Sequence, residues 1–281
     1  MNFFLRLAAF TARILPSPVK QALYEIRPLS KLLRVSLNAA APQGLTRVQV
    51  AAGELQGASM ILDLQTEKDY WLGTYEPELQ RAARAFVQPG MVIYDVGANI
   101  GYISLLLAHL TGERGCVFAF EALPNNVARL QKNIMINHLE NRITVIPKAV
   151  ADASGPVPFL THSSSAMGKV VGSAGRDERY TAQIRAKGIT LDNFVYQQNQ
   201  SKPALVKMDI EGGEALAIKG MEKLLKEFHP ILFIELHGEQ AAQSVWNLLQ
   251  YANYSIFRMS RNNQEITSIV QLDWEAYVIA K

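Results

Sequence analysis

Two periods of apolar and polar residues take turns along this chain. Short runs of β-branched and aromatic residues, each stopped by a turn residue, read as buried strands. Between them lie longer stretches with apolar residues three and four apart, which read as amphipathic helices. The sharpest junction is VIYDVGANIGYIS, Val92–Ser104. An apolar run stops at Asp95, bends through Gly97 and Gly101 and leaves as a second apolar run. That spells a strand, a glycine turn and the start of a helix. GCVFAFEALPNNVARLQKNIMIN repeats the scheme. Here a strand (Val117–Phe120) ends at Glu121, and a helix follows with Val127, Leu130 and Ile134 inward and Arg129, Lys132 and Asn133 on its other faces. Further strands are expected at Arg142–Val150, where Pro147 marks an edge or irregularity, and at Leu205–Met208 and Ile231–Ile234. The last section reads as a helix (Ala241–Tyr251) and two strands (Tyr254–Met259 and Trp274–Ala280). Upstream, Arg47–Gln65 reads as a hairpin and Glu78–Phe86 as a helix. Strands alternating with helices predict an α/β fold on a mostly parallel sheet.

The turn chemistry narrows what such a fold would hold. A dinucleotide turn wants glycines at its first, third and sixth positions, so that bare backbone approaches a pyrophosphate. Counted from Gly97, this chain has Asn99 and Tyr102 at the other two, with Gly101 between them. Asp95 at the strand end would also repel a diphosphate, and it suits a cationic ligand such as S-adenosylmethionine. A unit charge pair about 4 Å apart is worth about 4 kcal/mol near a protein surface, enough to choose between the two. Glu121 falls about twenty-odd residues past the turn, where an acid accepts the ribose hydroxyls of an adenosine cofactor. Asp152, just beyond the third strand, is a candidate for the adenine amino group.

With those residues in view, the chain resembles a class I S-adenosylmethionine-dependent methyltransferase of the FkbM family. The resemblance is carried by YDVGANIGYIS, FAFEALPNN, TLDNF (Thr190–Phe194), VKMDIEGGEALAIKGM (Val206–Met221) and PILFIELH (Pro230–His237), with WLGTYEPEL (Trp71–Leu79) upstream. It implies a Rossmann-like seven-stranded, mostly parallel sheet with helices on both faces. It also implies methyl transfer to a hydroxyl of a sugar, glycan or small secondary metabolite. The methyltransferase domain would occupy residues 70–281, preceded by an N-terminal helical and hairpin extension over residues 1–69.

The acceptor chemistry is expected at the next two strand ends. In an open parallel sheet, ligands bind outside the carboxyl ends of the strands. Asp209 and Glu211 lie beyond one such end, Glu235 and His237 at the next. The sulfonium is already a good electrophile, so alignment and removal of one proton are what the protein must add. His237 is the candidate base, with Glu235 or Glu211 as its orienting partner. Glu214 reads as a helix-start acid, favoured by the helix dipole. A divalent metal on Asp209, Glu211, Glu235 and His237 is the less favoured variant, so these side chains are taken as catalytic groups and not as metal ligands. Trp71, Gly73, Tyr75 and Glu76 read either as a packed turn or as an aromatic lid. The Ser- and Gly-rich stretch Gly155–Gly188 is expected to be a long polar loop holding one strand pair, ending in Tyr180–Arg185, beside the pocket.

Composition excludes other classes. The 281 residues are 49% apolar and 19% charged, with a net charge of +3 and no long basic run, so a nucleic-acid partner is not expected. RNA methylation and a non-catalytic cofactor-binding module stand as alternatives. The single cysteine, Cys116, rules out an internal disulfide and fits a reducing, cytoplasmic setting. The first 24 residues are basic and helically patterned, yet too interrupted for a membrane span or a secretory signal. They are expected to pack on the domain or on a second subunit. The alternative is peripheral contact with the inner face of a membrane.

Overall fold

The computed structural model describes residues 39–162, 168–173, 180–274 and 276–281, together with positions 10, 11, 13, 14, 35 and 37. The basic amphipathic segment of the first 24 residues lies largely outside the described residues. Among the described residues, no helix is long and apolar enough to cross a membrane.

Two compact units are present, one comprising the described residues up to Pro77 with Met135–Asn137, the other Glu78–Ile134 with His138–Lys281. The smaller unit is built on the expected hairpin, β1 (Leu45–Gln49) paired antiparallel with β2 (Ser59–Asp63). A short helix, α1 (Lys68–Leu72), buries Trp71 in this unit, and the Trp71 carbonyl accepts the Ala51 N–H at 2.7 Å. Residues 70–77 therefore fall in the same unit as the hairpin, and the Trp71 ring is core, not a stacking platform.

The larger unit follows the alternation of periods. After α2 (Pro77–Phe86) come β3 (Val92–Val96), α3 (Tyr102–Thr111), β4 (Cys116–Phe120), α4 (Pro124–Met135) and β5 (Ile143–Ile146). The second half holds β10 (Leu205–Met208), α5 (Glu214–Lys219), α6 (Glu222–Phe228), β11 (Ile231–Glu235), α7 (Glu239–Tyr251), β12 (Ile256–Arg258), β13 (Glu265–Ile266) and β14 (Tyr277–Ala280). These strands form one sheet in the order β13-β12-β14-β11-β10-β3-β4-β5. The five strands from β11 to β5 are parallel, while β14, β12 and β13 close the sheet by antiparallel pairing. The sheet thus has eight strands against the seven expected, the extra one being the two-residue β13 at the far edge.

Side chains alternate across the sheet. Tyr94, Val206, Leu232 and Ile234 join Ala217, Ile218, Leu224, Val245 and Leu249 of α5, α6 and α7 in the main core. On the other face, the ring of Phe233 meets that of Phe86 from α2 edge-on at 5.9 Å. Helix α3, apolar nearly all round, lies on β3, β4 and β5.

Two expectations change here. The stretch read as a third strand breaks at Pro147: β5 stays in the main sheet, while β6 (Ala149–Val150) joins a second one. A proline has no N–H to continue the ladder, which fits the break. The long polar loop is also more structured than its composition suggests. It contributes β7 (Gly155–His162), β8 (Gly168–Val170) and β9 (Tyr180–Ile189) to a four-stranded sheet ordered β6-β9-β7-β8. Val157, Phe159, Val170 and Ala186 form its own small core with Leu123, and Leu216 of α5 packs against it.

Candidate active site

The strand order reverses beside β3, which leads on to β4 on one side and lies against β10 on the other. Crevices at such reversals hold ligands in open α/β sheets. Asp95 and Asp209 come together there, from β3 and from just beyond β10.

The glycine turn is shaped by what touches it. Gly97, Asn99 and Gly101 all have positive φ, at 80°, 50° and 96°. A Cβ on Gly97 would overlap the Asp209 carbonyl oxygen, so only glycine lets the turn after β3 rest on the end of β10. A Cβ on Gly101 would press into Leu130 of α4. The same helix face brings Asn133, expected on a polar face, into complete burial. Its side-chain amide donates to the Ile100 carbonyl at 2.8 Å, so α4 clamps the turn through one apolar and one polar contact.

Glu121 belongs to this clamp. One of its oxygens accepts the Asn99 N–H at 2.8 Å and the other the Leu123 N–H at 2.8 Å. Burial raises the carboxyl's pKa, against backbone hydrogen bonds from Leu123, Asn99 and Ala122 and a side-chain one from Asn126. Next to it, the buried Oδ1 of Asn99 makes no hydrogen bond. Asp152 is exposed, just beyond β6.

Asp95 is fully buried, which its sequence neighbourhood alone did not indicate. Ser104 donates its hydroxyl to Oδ2 at 2.5 Å, and the ammonium of Lys207 lies 3.5 Å from Oδ1. A positive charge from within the chain therefore already answers the carboxylate. In the sequence Lys207 merely interrupts the apolar strand Leu205–Met208. It lies 3.5 Å from Asp209 Oδ2 as well and donates to the Gly97 carbonyl at 3.3 Å.

Beyond the ends of β10 and β11, four acids surround one imidazole. His237 Nδ1 lies 3.0 Å from Glu214 Oε1. Its Nε2 lies 3.8 Å from Asp209 and 3.9 Å from both Glu211 and Glu235. The partner that fixes the ring is thus Glu214, and not Glu211 or Glu235 as expected. Glu214 is completely buried, and the same oxygen accepts the N–H groups of Ile210 at 3.1 Å and Gly212 at 3.2 Å. Those bonds close the turn in which Glu211 takes a left-handed φ of 57°. Backbone strain of this kind persists where its surroundings hold it, and it gathers at functional sites. Glu235 in turn accepts the Tyr277 hydroxyl at 2.7 Å.

Burial acts to lower the pKa of His237, but the Glu214 hydrogen bond and the charges of Glu214, Asp209 and Glu235 outweigh it and push it up to about 10. These carboxylates therefore favour the imidazolium form of the ring near neutral pH. Asp209, Glu211 and His237 also place one ligand atom each within 4.8 Å of one another, a donor set that suits a hard divalent ion.

A parallel sheet that reverses at a glycine turn, with acids at adjacent strand ends and an antiparallel closing strand, defines the class I methyltransferase fold. The chain belongs to the methyltransferase FkbM domain family, which it matches over residues 95–256. It is 28% identical over 175 residues to the hexuronic acid methyltransferase AglP of Haloferax volcanii, covering 62% of this chain and 67% of that protein. It is 27% identical over 207 residues to the 31-O-demethyl-FK506 methyltransferase FkbM of Streptomyces tacrolimicus, covering 64% and 74%. Among solved structures it is similar to methyltransferase FkbM from Methylobacillus flagellatus KT, at 17% identity and a TM-score of 0.49, over 92% of this chain and 61% of that one.

Proposed function

We propose that this methyltransferase moves the methyl group of S-adenosylmethionine to a hydroxyl of a sugar or small secondary metabolite. The observation that carries the reading is the His237 cluster resting directly against the glycine turn, through the Gly97–Asp209 contact. One similar protein is named for a hexuronic acid and another for an O-demethyl compound, and both names fit an oxygen acceptor.

The residues present fit the donor. Gly97 and Gly101 let the turn seat on Asp209 and Leu130, and within that turn Asn99 keeps a buried oxygen without a hydrogen-bond partner. Glu121, at the end of β4 and bonded to the Asn99 N–H of the turn, stands at the ribose end of the site. Asp95, paired with Lys207, braces the turn from beneath, and Asp152 stands for the adenine end. When bound, the donor supplies an electrophilic methyl on a sulfonium. Orientation of the hydroxyl and disposal of its proton fall to the chain.

Glu214 holds His237 by Nδ1, so Nε2 is the nitrogen left for the acceptor. The imidazolium first releases its Nε2 proton to solvent, which rising pH favours. Nε2 then takes the proton of the acceptor hydroxyl, and Asp209, Glu211 and Glu235 stabilise the imidazolium that forms. The test is incubation of the full chain with donor labelled in the methyl group, together with saccharide, small-metabolite and tRNA fractions. Label in a hydroxyl-bearing saccharide or metabolite supports the reading; label in the tRNA alone, or in nothing, overturns it.

A second reading is favoured by the 3.8 and 3.9 Å separations of Nε2 from Asp209 and Glu211, too long for hydrogen bonds. Ligands of one ion at about 2.1 Å stand roughly 3 to 4 Å apart. A divalent ion there would polarise the acceptor oxygen. Transfer that survives exhaustive chelation removes this variant.

A further inference from the structure

The rim of the sheet continues past His237. Strand β14 runs antiparallel to β11 with Tyr277 opposite Glu235, so the residues just before Tyr277 lie beyond the carboxyl end of β11. Strand β12 runs antiparallel to β14 with Arg258 opposite Val278, which brings the end of β12 to the same rim. The link to the active site is short. Gly238, next after His237, donates its N–H to the Trp274 carbonyl at 2.9 Å, and Leu236 donates to Ala276 at 3.1 Å.

A cavity of about 470 Å³ opens there, lined by Arg258, Val270, Gln271, Asp273 and Trp274. That volume is within the range of small-ligand sites. Trp274 is 52% exposed and Val270 90%, so apolar surface is presented where a folded chain would ordinarily cover an indole. Beside them, Arg258 donates to the Gln271 carbonyl at 2.8 Å and lies 3.5 Å from the Asp273 carboxylate. The charges of that pair cancel, so the cavity selects neither an anion nor a cation. What it offers is an aromatic face, adjacent N–H donors and a carboxylate acceptor. A pyranose ring matches this set: its C–H face lies on an indole, and neighbouring hydroxyls each donate and accept.

We propose that Arg258, Asp273 and Trp274 form a subsite for a neutral pyranose, the sugar next to the one that takes the methyl group. The proposal rests on the reading that the His237 cluster receives a sugar hydroxyl, and it makes an oligosaccharide a better acceptor than its monosaccharide.

Calorimetry of the full chain with maltotetraose, cellotetraose and chitotetraose tests it, with S-adenosylhomocysteine binding in each variant as the report on folding. We expect at least one tetrasaccharide to bind, Trp274→Ala to weaken it at least tenfold, and Trp274→Phe to restore part of the loss. Arg258→Gln, which keeps N–H donors but unbalances the pair, should weaken it less than Trp274→Ala. Absence of binding by all three, or equal affinity in Trp274→Ala, overturns the proposal. Trp274-dependent binding without methyl transfer to any saccharide upholds the subsite and overturns the acceptor reading. Transfer to a saccharide with KM unchanged in Trp274→Ala does the reverse.

Discussion

Asp95 and Lys207 stand opposite each other in register across the β3–β10 pair, with Oδ1 and Nζ 3.5 Å apart and both side chains shut off from water. The same ammonium reaches the Gly97 carbonyl and the Asp209 carboxylate, so one cation ties the donor strand, the turn and the acceptor strand end together. Removing one member of a buried pair leaves an uncompensated charge and costs about 3–5 kcal/mol. Lys207→Met should lose stability on that scale in urea unfolding and weaken donor binding with it. The double variant Asp95→Asn/Lys207→Met should be the more stable of the two. If Lys207→Met unfolds at the wild-type urea concentration, the pair does not bear on stability.

Gly97 supplies the second test. Its φ of 80° is strained for any L side chain, and a Cβ would run into the Asp209 backbone, which cannot swing aside. Gly97→Ala should therefore weaken S-adenosylhomocysteine binding by more than tenfold, about 1.4 kcal/mol, by calorimetry. Gly101→Ala meets the flexible end of Leu130 and should be milder. An equal or reversed order would mean that the turn is not seated on Asp209.

Much of this was legible before any coordinates. A strand that stops at an acid, bends through glycines and resumes as a helix has few three-dimensional meanings, and Val92–Ser104 takes the expected one. Asp209 and His237 were placed by a topological rule, since both follow strands of a parallel sheet. The charge partners were hidden for a physical reason. Lys207 reads as a flaw in an apolar strand, and only cross-strand register shows that the flaw faces Asp95. Glu214 has an ordinary reason to start a helix, and its bond to His237 spans two strand ends. Asn133 looks polar and therefore outward, and its burial is explained only by the carbonyl it satisfies. Within the stretch Gly155–Gly188 the expected strand pair is β7 and β9, and turn-rich composition concealed only the short β8 and the pairing with β6.

The cluster around His237 predicts an alkaline rise in activity. With its pKa pushed up to about 10, the base form is scarce in the free enzyme near neutrality and grows tenfold per pH unit. In chelator-treated protein, log kcat/KM should climb with unit slope from pH 7 towards 10. His237→Gln should be roughly a hundredfold or more slower, with a flat profile, as expected on losing a general base. A wild-type profile that is level between pH 7 and 9 would assign the proton to a carboxylate instead.

Glu214 sets that profile without touching the acceptor. It is the His237 partner at hydrogen-bond distance, and with it the largest influence raising the ring's pKa. Glu214→Gln keeps the shape and can still accept from His237 Nδ1 and the two backbone N–H groups, but it removes the charge. The ring's pKa should then fall, carrying the limb of kcat/KM at least one unit towards neutrality while S-adenosylhomocysteine binding stays put. The sign has a consequence for stability. A raised histidine pKa stabilises the fold fully below the unfolded value of about 6.5 and loses that contribution as pH rises through the folded one. Melting temperatures of wild type and Glu214→Gln should therefore differ most at pH 6 and converge near pH 10. If Glu214 merely closed the Ile210–Gly212 turn, its replacement would lower activity and melting temperature alike at every pH and leave the limb where it was.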